Sequence, residues 1–560
     1  MNSLSQNTDQ KATPKRHKIH RSHPEVSRKI IAFETISEAN QGKSAREISK
    51  LINIPNSTMQ SWKENLSVDE AMEDEASAFF RSPVGASLLH RIILSIIFNN
   101  KCGHSGILGA QECLHNSGLS KYVASSTGAL QKFWERCEDC ILTFGKEWEQ
   151  KLAKGMNERK ITVLMDEMFR KGMPCLVAIE AVSNYILLEK FTENRTSETW
   201  KKELDLAIKD VPVKIAQIGS DLCGAIRSVA KSYEAAHSPD LFHGQYEISK
   251  AVAGALGSQE RAAEKALQKA EENVKKMTDK PIRIGIKEKD KQKEELEEAN
   301  KEKERLKAEY EAKKIRREKT QEAKRKLGEI YHPIDIDTGK LETAESIEEK
   351  FAKEFEIISE NAEHASLSKS CHDRIEKAKR AFALMIAFLK QFFLVFEATL
   401  RDMNLTPEQM GFFKEVIFPL SYLNKIWKSL PKKEKDRIRQ TLQILQQKQK
   451  EGAFTEECKE ALMRRGKELA ETFQRSTSSV EGRNGGLSLL MHRFHHFNEK
   501  TLKVLTIVHN FGVKRKSDGS TAAERFFGSK HEDLFKYLEG NVRIPGKPQL
   551  QVRRRSRCAA

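Results

Sequence analysis

The chain has 560 residues, of which 38% are hydrophobic and 32% charged, with a formal net charge of +17; this length predicts roughly three or four domains, and this much apolar content excludes a wholly disordered chain. Nine cysteines in so long a chain, with no apolar secretory segment at the start, argue against a disulfide-built secreted scaffold and suit a reducing cytosol. The longest apolar runs, at 88–98 and 381–396, are too short or are broken by Arg91 and Lys390, which argues against a membrane span, while the basic balance favours a polyanionic partner such as nucleic acid.

Residues 1–24 read as a disordered basic arm carrying Lys11, Lys15, Arg16, Lys18 and Arg21. Over 25–68, Ile30, Ile31 and Ile36 give a first apolar face, and Ala45, Ile48 and Leu51 a second at helical spacing after the N-cap candidate Ser44. Ile54-Pro55-Asn56-Ser57 is a turn, and a third helix would hold Thr58, Met59, Gln60 and Trp62. Three short helices with a tight turn before the last form a helix-turn-helix pattern. Ser57, Thr58 and Gln60 would then face base edges and Lys63 the DNA backbone. Within 75–150, the stretch 104–137 repeats the order helix, turn, capped helix, and is either a second reader or a helical connector. Its Cys137-Glu138-Asp139-Cys140 has the spacing of half a zinc site, with no second clean pair to complete it.

From 158 to 257 the pattern becomes β-branched and alternating. ITVLMDE (161–167), PCLVAIE (174–180) and YILLEKFTE (185–193) read as three strands joined by short turns. A helix at about 197–209 follows, then a strand VKIAQIGSD (213–221), another helix, and a short fifth strand SPDLFH (238–243). In a mixed five-stranded sheet of this order the first strand lies beside the fourth. Residues 258–330 are a charged helical arm, dense in Glu and Lys at i,i+4 spacing, with a hairpin tip near Pro281 and Gly285. It is a solvated face, or else an arm that binds DNA or a second copy. Residues 331–475 return to amphipathic helices, and 541–560 are a basic tail expected to meet phosphate without sequence choice.

Three carboxylates stand at comparable places: Asp166 at the end of the first strand, Asp221 after the fourth, and Glu481 in SSVEGRNGG (478–486) at the mouth of a helix. Glu167 competes with Asp166, and alternation along the strand favours Asp166 because Glu167 shares a face with Val163 and Met165. Converging hard oxygen ligands suit two Mg²⁺ or Mn²⁺ ions, which clamp the attacking and departing oxygens of a phosphoryl transfer. Gly482, Gly485 and Gly486 would admit a phosphodiester backbone, with Arg483 pairing with a phosphate and Asn484 also meeting DNA. Asp240 and His243 in SPDLFH read as strand-end and packing residues, with a phosphate contact by His243 as the alternative. His492, His495 and His496 read as surface or DNA-backbone contacts.

The ITVLMDE strand, QIGSD with SPDLFH after it, and SSVEGRNGG followed by HNF and DGSTAAERFFG resemble the DDE transposases of bacterial insertion sequences, in their insertion-bearing branch. The resemblance implies an α/β RNase H-like core, completed by 476–540, with all-α helix-turn-helix domains in front and a large all-α insertion. It also implies metal-dependent cleavage and joining of double-stranded DNA at element ends, by Asp166, Asp221 and Glu481, in the bacterial cytoplasm and on the nucleoid. A dimer or larger assembly on DNA is expected, since two ends are joined. The alternative is a DNA-binding regulator derived from such an enzyme and lacking its activity.

Overall fold

The computed structural model describes residues 42–59, 76–103, 105–221, 223–281, 284, 286–427, 430–493 and 497–546. The basic arm, the first apolar face at Ile30, Ile31 and Ile36, and Gln60, Trp62, Lys63, His495, His496 and the arginine-rich tail from 547 lie outside them. The chain divides into two compact units, residues 1–140 with 535–560, and residues 141–534.

In the first unit, α1 (Ala45–Ile52) starts on Ser44, whose side chain accepts from the Glu47 amide while Glu47 reaches back to Ser44. This reciprocal cap satisfies two amides that the helix leaves bare. Asn53 turns left-handed to stop the helix, and a helical turn at 56–59 follows. Ile48, Ile54 and Met59 are buried between them, Ser57 is exposed and Thr58 half-buried; the side chains of Ala45 and Leu51 lie outside the described ones. Then come α2 (Pro83–Cys102), capped by Ser82, α3 (Gly106–Asn116), and α4 (Thr127–Lys154), whose first turn is held by Ser126 and which belongs to this unit up to Cys140. Cys137 is buried, with its thiol pushed up to about 12 by that burial, as suits an inert packing residue.

The second unit is built on one sheet. Strands β1 (Arg159–Arg170), β2 (Met173–Glu180) and β3 (Ile186–Phe191) form an antiparallel meander; α5 (Ser197–Ile208) leads to β4 (Val213–Ser220), and α6 (Gly224–Ser232) to β5 (Ala236–Pro239). The order is β3-β2-β1-β4-β5, with β4 parallel to both β1 and β5. Helical crossovers are what parallel pairing demands, while short turns, two residues between β1 and β2 and five between β2 and β3, suffice for the meander. Nearly all of β2 is buried, as the unbroken apolar run PCLVAIE requires at the inside of a sheet covered on both faces.

The fifth strand corrects the sequence reading. It is Ala236–Pro239, and Asp240 does not continue it. Asp240 caps the helix α7 (Leu241–Ile248) by accepting the His243 amide. The strand therefore ends where Pro239 and a capping carboxylate dictate a helix start.

After α7 the chain leaves the sheet through a five-residue π turn into α8 (Gly254–Thr278), which packs against the 45-residue α9 (Ile286–Ile330). Only the far end of α9 is buried, at Thr320, Ala323 and Leu327. There follow α10 (Ala344–His364), α11 (Lys369–Asp402), α12 (Pro407–Phe412), α13 (Phe418–Trp427), α14 (Lys432–Glu451) and α15 (Glu456–Thr472). Their core is aromatic: Phe382, Phe388, Phe392, Phe396, Phe418, Tyr422 and Phe473 are buried together. Each contributes on the order of 2–3 kcal/mol of apolar burial. By length and composition α11 could cross a membrane, yet its Phe382, Met385, Leu389 and Phe396 form this core. The chain returns through α16 (Ser478–Arg493), α17 (Glu499–Ile507) and α18 (Ala522–Phe527), and α19 (Leu534–Asn541) belongs to the first unit from Phe535 on.

Candidate metal centre

Leu164 of β1 pairs with Gly219 of β4 in the last parallel pair, and two residues further on each strand stand Asp166 and Asp221. Beyond that pair β4 stops, so the edge of β1 is uncovered and both carboxylates emerge at one end of the sheet. β1 itself runs on to Arg170 beside β2, so Asp166 lies within the strand and not at its end as the sequence suggested. The Asp221 side chain turns back to accept the Cys223 amide at 2.8 Å, and its charge acts on Asp166, Glu167 and His243.

Asp166 accepts the Glu167 amide at 2.9 Å and the Asn484 side-chain amide at 2.8 Å. Burial, aided by the Glu167 and Asp221 charges, still pushes its carboxyl up to about 6. Glu167 points elsewhere and forms an ion pair with Arg195, while burial raises its own carboxyl.

Asn484 sits on α16, which packs on β1. Glu481 lies one turn earlier and accepts the Thr477 hydroxyl at 2.9 Å. What aligns this helix is a pair that the sequence reading assigned otherwise. Arg483 does not stand free for a phosphate: its guanidinium grips both oxygens of Glu189 on β3 at 2.7 Å, and Thr506 adds a hydroxyl at 2.6 Å. The Glu189 side chain is fully buried, and a carboxylate so desolvated requires a partner. Asn484 likewise meets Asp166, and is thereby a ligand-orienting residue in geometry.

Two residues given a packing role by the sequence join this place. Asp240, 1% exposed, accepts the His243 amide at 3.0 Å, His243 Nδ1–H at 2.7 Å and the Thr477 amide at 3.1 Å. This bond to Asp240 raises His243 above the ordinary imidazole range. Ligand atoms of Asp240, His243 and Glu481 lie within 4.8 Å of one another. The available signal was the Asp240-x-x-His243 spacing, an N-cap with a second donor in the first turn.

The donor set fits a hard divalent cation. Asp166, Asp221 and Glu481 have no Lys or Arg partner among the described residues, and Asn484 Oδ1 beside them is buried without a donor. Carboxylates without a cationic partner and an orphaned acceptor are electron-rich, and Mg²⁺ or Mn²⁺ with retained waters would supply the missing charge and donors.

On its outer side α16 carries Gly482, Gly485 and Gly486, all exposed; a Cβ added at any of them meets nothing within 4 Å. Each costs the helix on the order of 1 kcal/mol relative to alanine. No packing among the described residues explains the cost. Of the base-contact candidates, Ser57 and Thr58 lie in the first unit, at the start of the helical turn after α1.

Residues 413–556 match a family described as "Family of unknown function (DUF6399)". The matched segment contains Glu481, Arg483 and Asn484 and stops short of Asp166, Asp221 and Asp240. No match to the chain is found among curated proteins.

Proposed function

We propose that this protein is a DDE-type transposase: an RNase H-like core that cuts and joins double-stranded DNA with divalent metal, preceded by a helix-turn-helix reader of element ends. The observation that carries the reading is the delivery of Glu481 and Asn484, more than 250 residues downstream in the chain, to the sheet end that bears Asp166 and Asp221. The strand order, with β1 between an antiparallel meander and parallel β4, agrees with it. So does the bare glycine face, which leaves room for a phosphodiester.

Asp166, Asp221 and Glu481 would hold two Mg²⁺ or Mn²⁺ ions, which when bound lower the pKa of water and neutralise charge on the phosphate oxygens. Asn484 orients Asp166, Thr477 orients Glu481, and Asp240 fixes His243 beside them. In the first reaction a water oxygen attacks phosphorus, the P–O3′ bond breaks, and the water proton passes to a basic group or solvent, leaving a 3′-hydroxyl. In the second, that hydroxyl attacks a phosphodiester of target DNA and displaces another 3′-oxygen. Two ends handled together require at least two copies on DNA.

Purified protein with Mn²⁺ and labelled duplex from the DNA flanking its reading frame is expected to yield nicked product with a 3′-hydroxyl. Asp166→Asn, Asp221→Asn and Glu481→Gln are each expected to shift that duplex without cutting it. Shifted but uncut DNA with the unaltered protein would instead mark a regulator, and cutting by any one variant would remove that residue from the centre.

A further inference from the structure

A cavity of about 550 Å³ lies between α7 with the first turns of α8 and the buried end of α9. Its size falls within the roughly 300–1,000 Å³ usual for small-molecule sites. Its wall is apolar at Leu241, Ile248, Val252 and Ile336, cationic at Arg317, Lys324, Arg325 and Arg475, and acidic at Glu329 and Glu434.

The cations are unevenly matched. Arg317 is paired with Glu260, and Arg325 with Glu322 and Glu329. Lys324 and Arg475 have no carboxylate partner among the described residues. Lys324 donates only to the Ser249 hydroxyl, at 2.7 Å. Arg475 donates to the Gly328 carbonyl at 2.5 Å and to His332 Nε2 at 2.6 Å, and its Nε is buried with no acceptor. His332 takes the Arg475 proton donor on Nε2 and so carries its own hydrogen on Nδ1, directed at Tyr422 Oη 2.7 Å away. It is held neutral, since burial and the Arg475 charge keep it well below the ordinary imidazole range, and it returns no negative charge. Glu434 is on the wall and its charge acts on Arg475, but the two do not come within ion-pair distance.

Two cationic side chains without a carboxylate partner, on the wall of one cavity that also offers apolar surface, form a recognition pattern for an anion. We propose that this cavity binds a small molecule with an anionic head, phosphate or carboxylate, on Arg475 and Lys324, and an apolar body against Leu241, Ile248, Val252 and Ile336. Nucleotides and acyl carboxylates share that chemistry. The proposal does not depend on the metal centre. The two places are nevertheless linked through the backbone, because the Arg475 carbonyl accepts the Leu241 amide, next to Asp240.

The test is calorimetric titration of the full chain, free of DNA and divalent metal, with AMP in one arm and decanoate in the other. At least one is expected to bind below millimolar concentration, and Lys324→Met and Arg475→Lys are each expected to weaken it about tenfold or more. Binding of AMP alone identifies a nucleotide site, and of decanoate alone an acyl site. If neither probe binds at millimolar concentration, or if binding survives both substitutions unchanged, the proposal is overturned. Should Arg475→Lys fail to fold, Lys324→Met, altering a side chain with one hydroxyl partner, decides the matter.

Discussion

Replacing Asp166 by Asn is expected to stabilise the metal-free protein while ending its chemistry. The carboxyl ordinarily titrates at 3.8 and is held at about 6 here, chiefly by burial. Between those values the folded protein keeps a proton that the unfolded chain has lost. Stability therefore falls as pH rises through that window, and the deficit is complete above about pH 6. A displacement of that size corresponds to about 3 kcal/mol, reduced to about 2 kcal/mol because the group retains some contact with water. Asn keeps an acceptor for Asn484 and carries no charge. Urea unfolding in EDTA is expected to show Asp166→Asn about 2 kcal/mol more stable than the unaltered protein near pH 8, and level with it near pH 4. Adding Mn²⁺ reverses the order, since only the carboxylate gains binding energy. Equal stability near pH 8, or an equal gain at both pH values, would refute the claim that Asp166 is held in an unfavourable ionised state until metal arrives.

Arg483→Met strands the buried Glu189 carboxylate and is expected to cost about 3 kcal/mol in urea unfolding; the double change with Glu189→Leu recovers most of it, and a coupling near zero in this cycle would mean the pair does not anchor α16. Asp240→Ala removes the acceptor of three donors, with an expected loss of about 2–4 kcal/mol and weaker Mn²⁺ binding by titration; unchanged metal affinity would detach Asp240 from the centre. Gly466→Ala places a Cβ 2.8 Å from Ile417 Cγ2 and 3.3 Å from the Ile417 carbonyl. It is expected to destabilise by about 1–3 kcal/mol through overpacking, with a neutral result in the same assay showing that α15 can shift away from the π turn at Phe413–Ile417.

The sheet was legible because its signals are local. Turns as short as Lys171-Gly172 leave no choice but a meander, and a helix-length gap before Val213 demands a parallel crossover. Asp166 and Asp221 follow from where those strands stop pairing. Asp240 was misplaced because SPDLFH is apolar enough for a strand, and the capping role of its carboxylate outweighs that propensity. The Arg483–Glu189 pair was not legible because Glu189 is almost 300 residues earlier and sits in YILLEKFTE, where alternation alone does not reveal which glutamate faces inward. The unmatched cations Lys324 and Arg475 carry no sequence signal, since each is one basic residue among many.

All five strands are complete by Pro239, but the chain reaches Glu481 only after the helices that follow. Ser238 and Leu241, where the chain departs, are hydrogen-bonded to Gln474 and Arg475, where it comes back. The aromatic core between them thus closes a loop of over 230 residues whose entropy the sheet contacts alone would have to oppose. During synthesis, a ribosome that has released the sheet has made only two of the three acidic groups. The acidic group is incomplete until the helical body has been made and has brought the last one in, so under the proposed function a truncated product would leave DNA uncut.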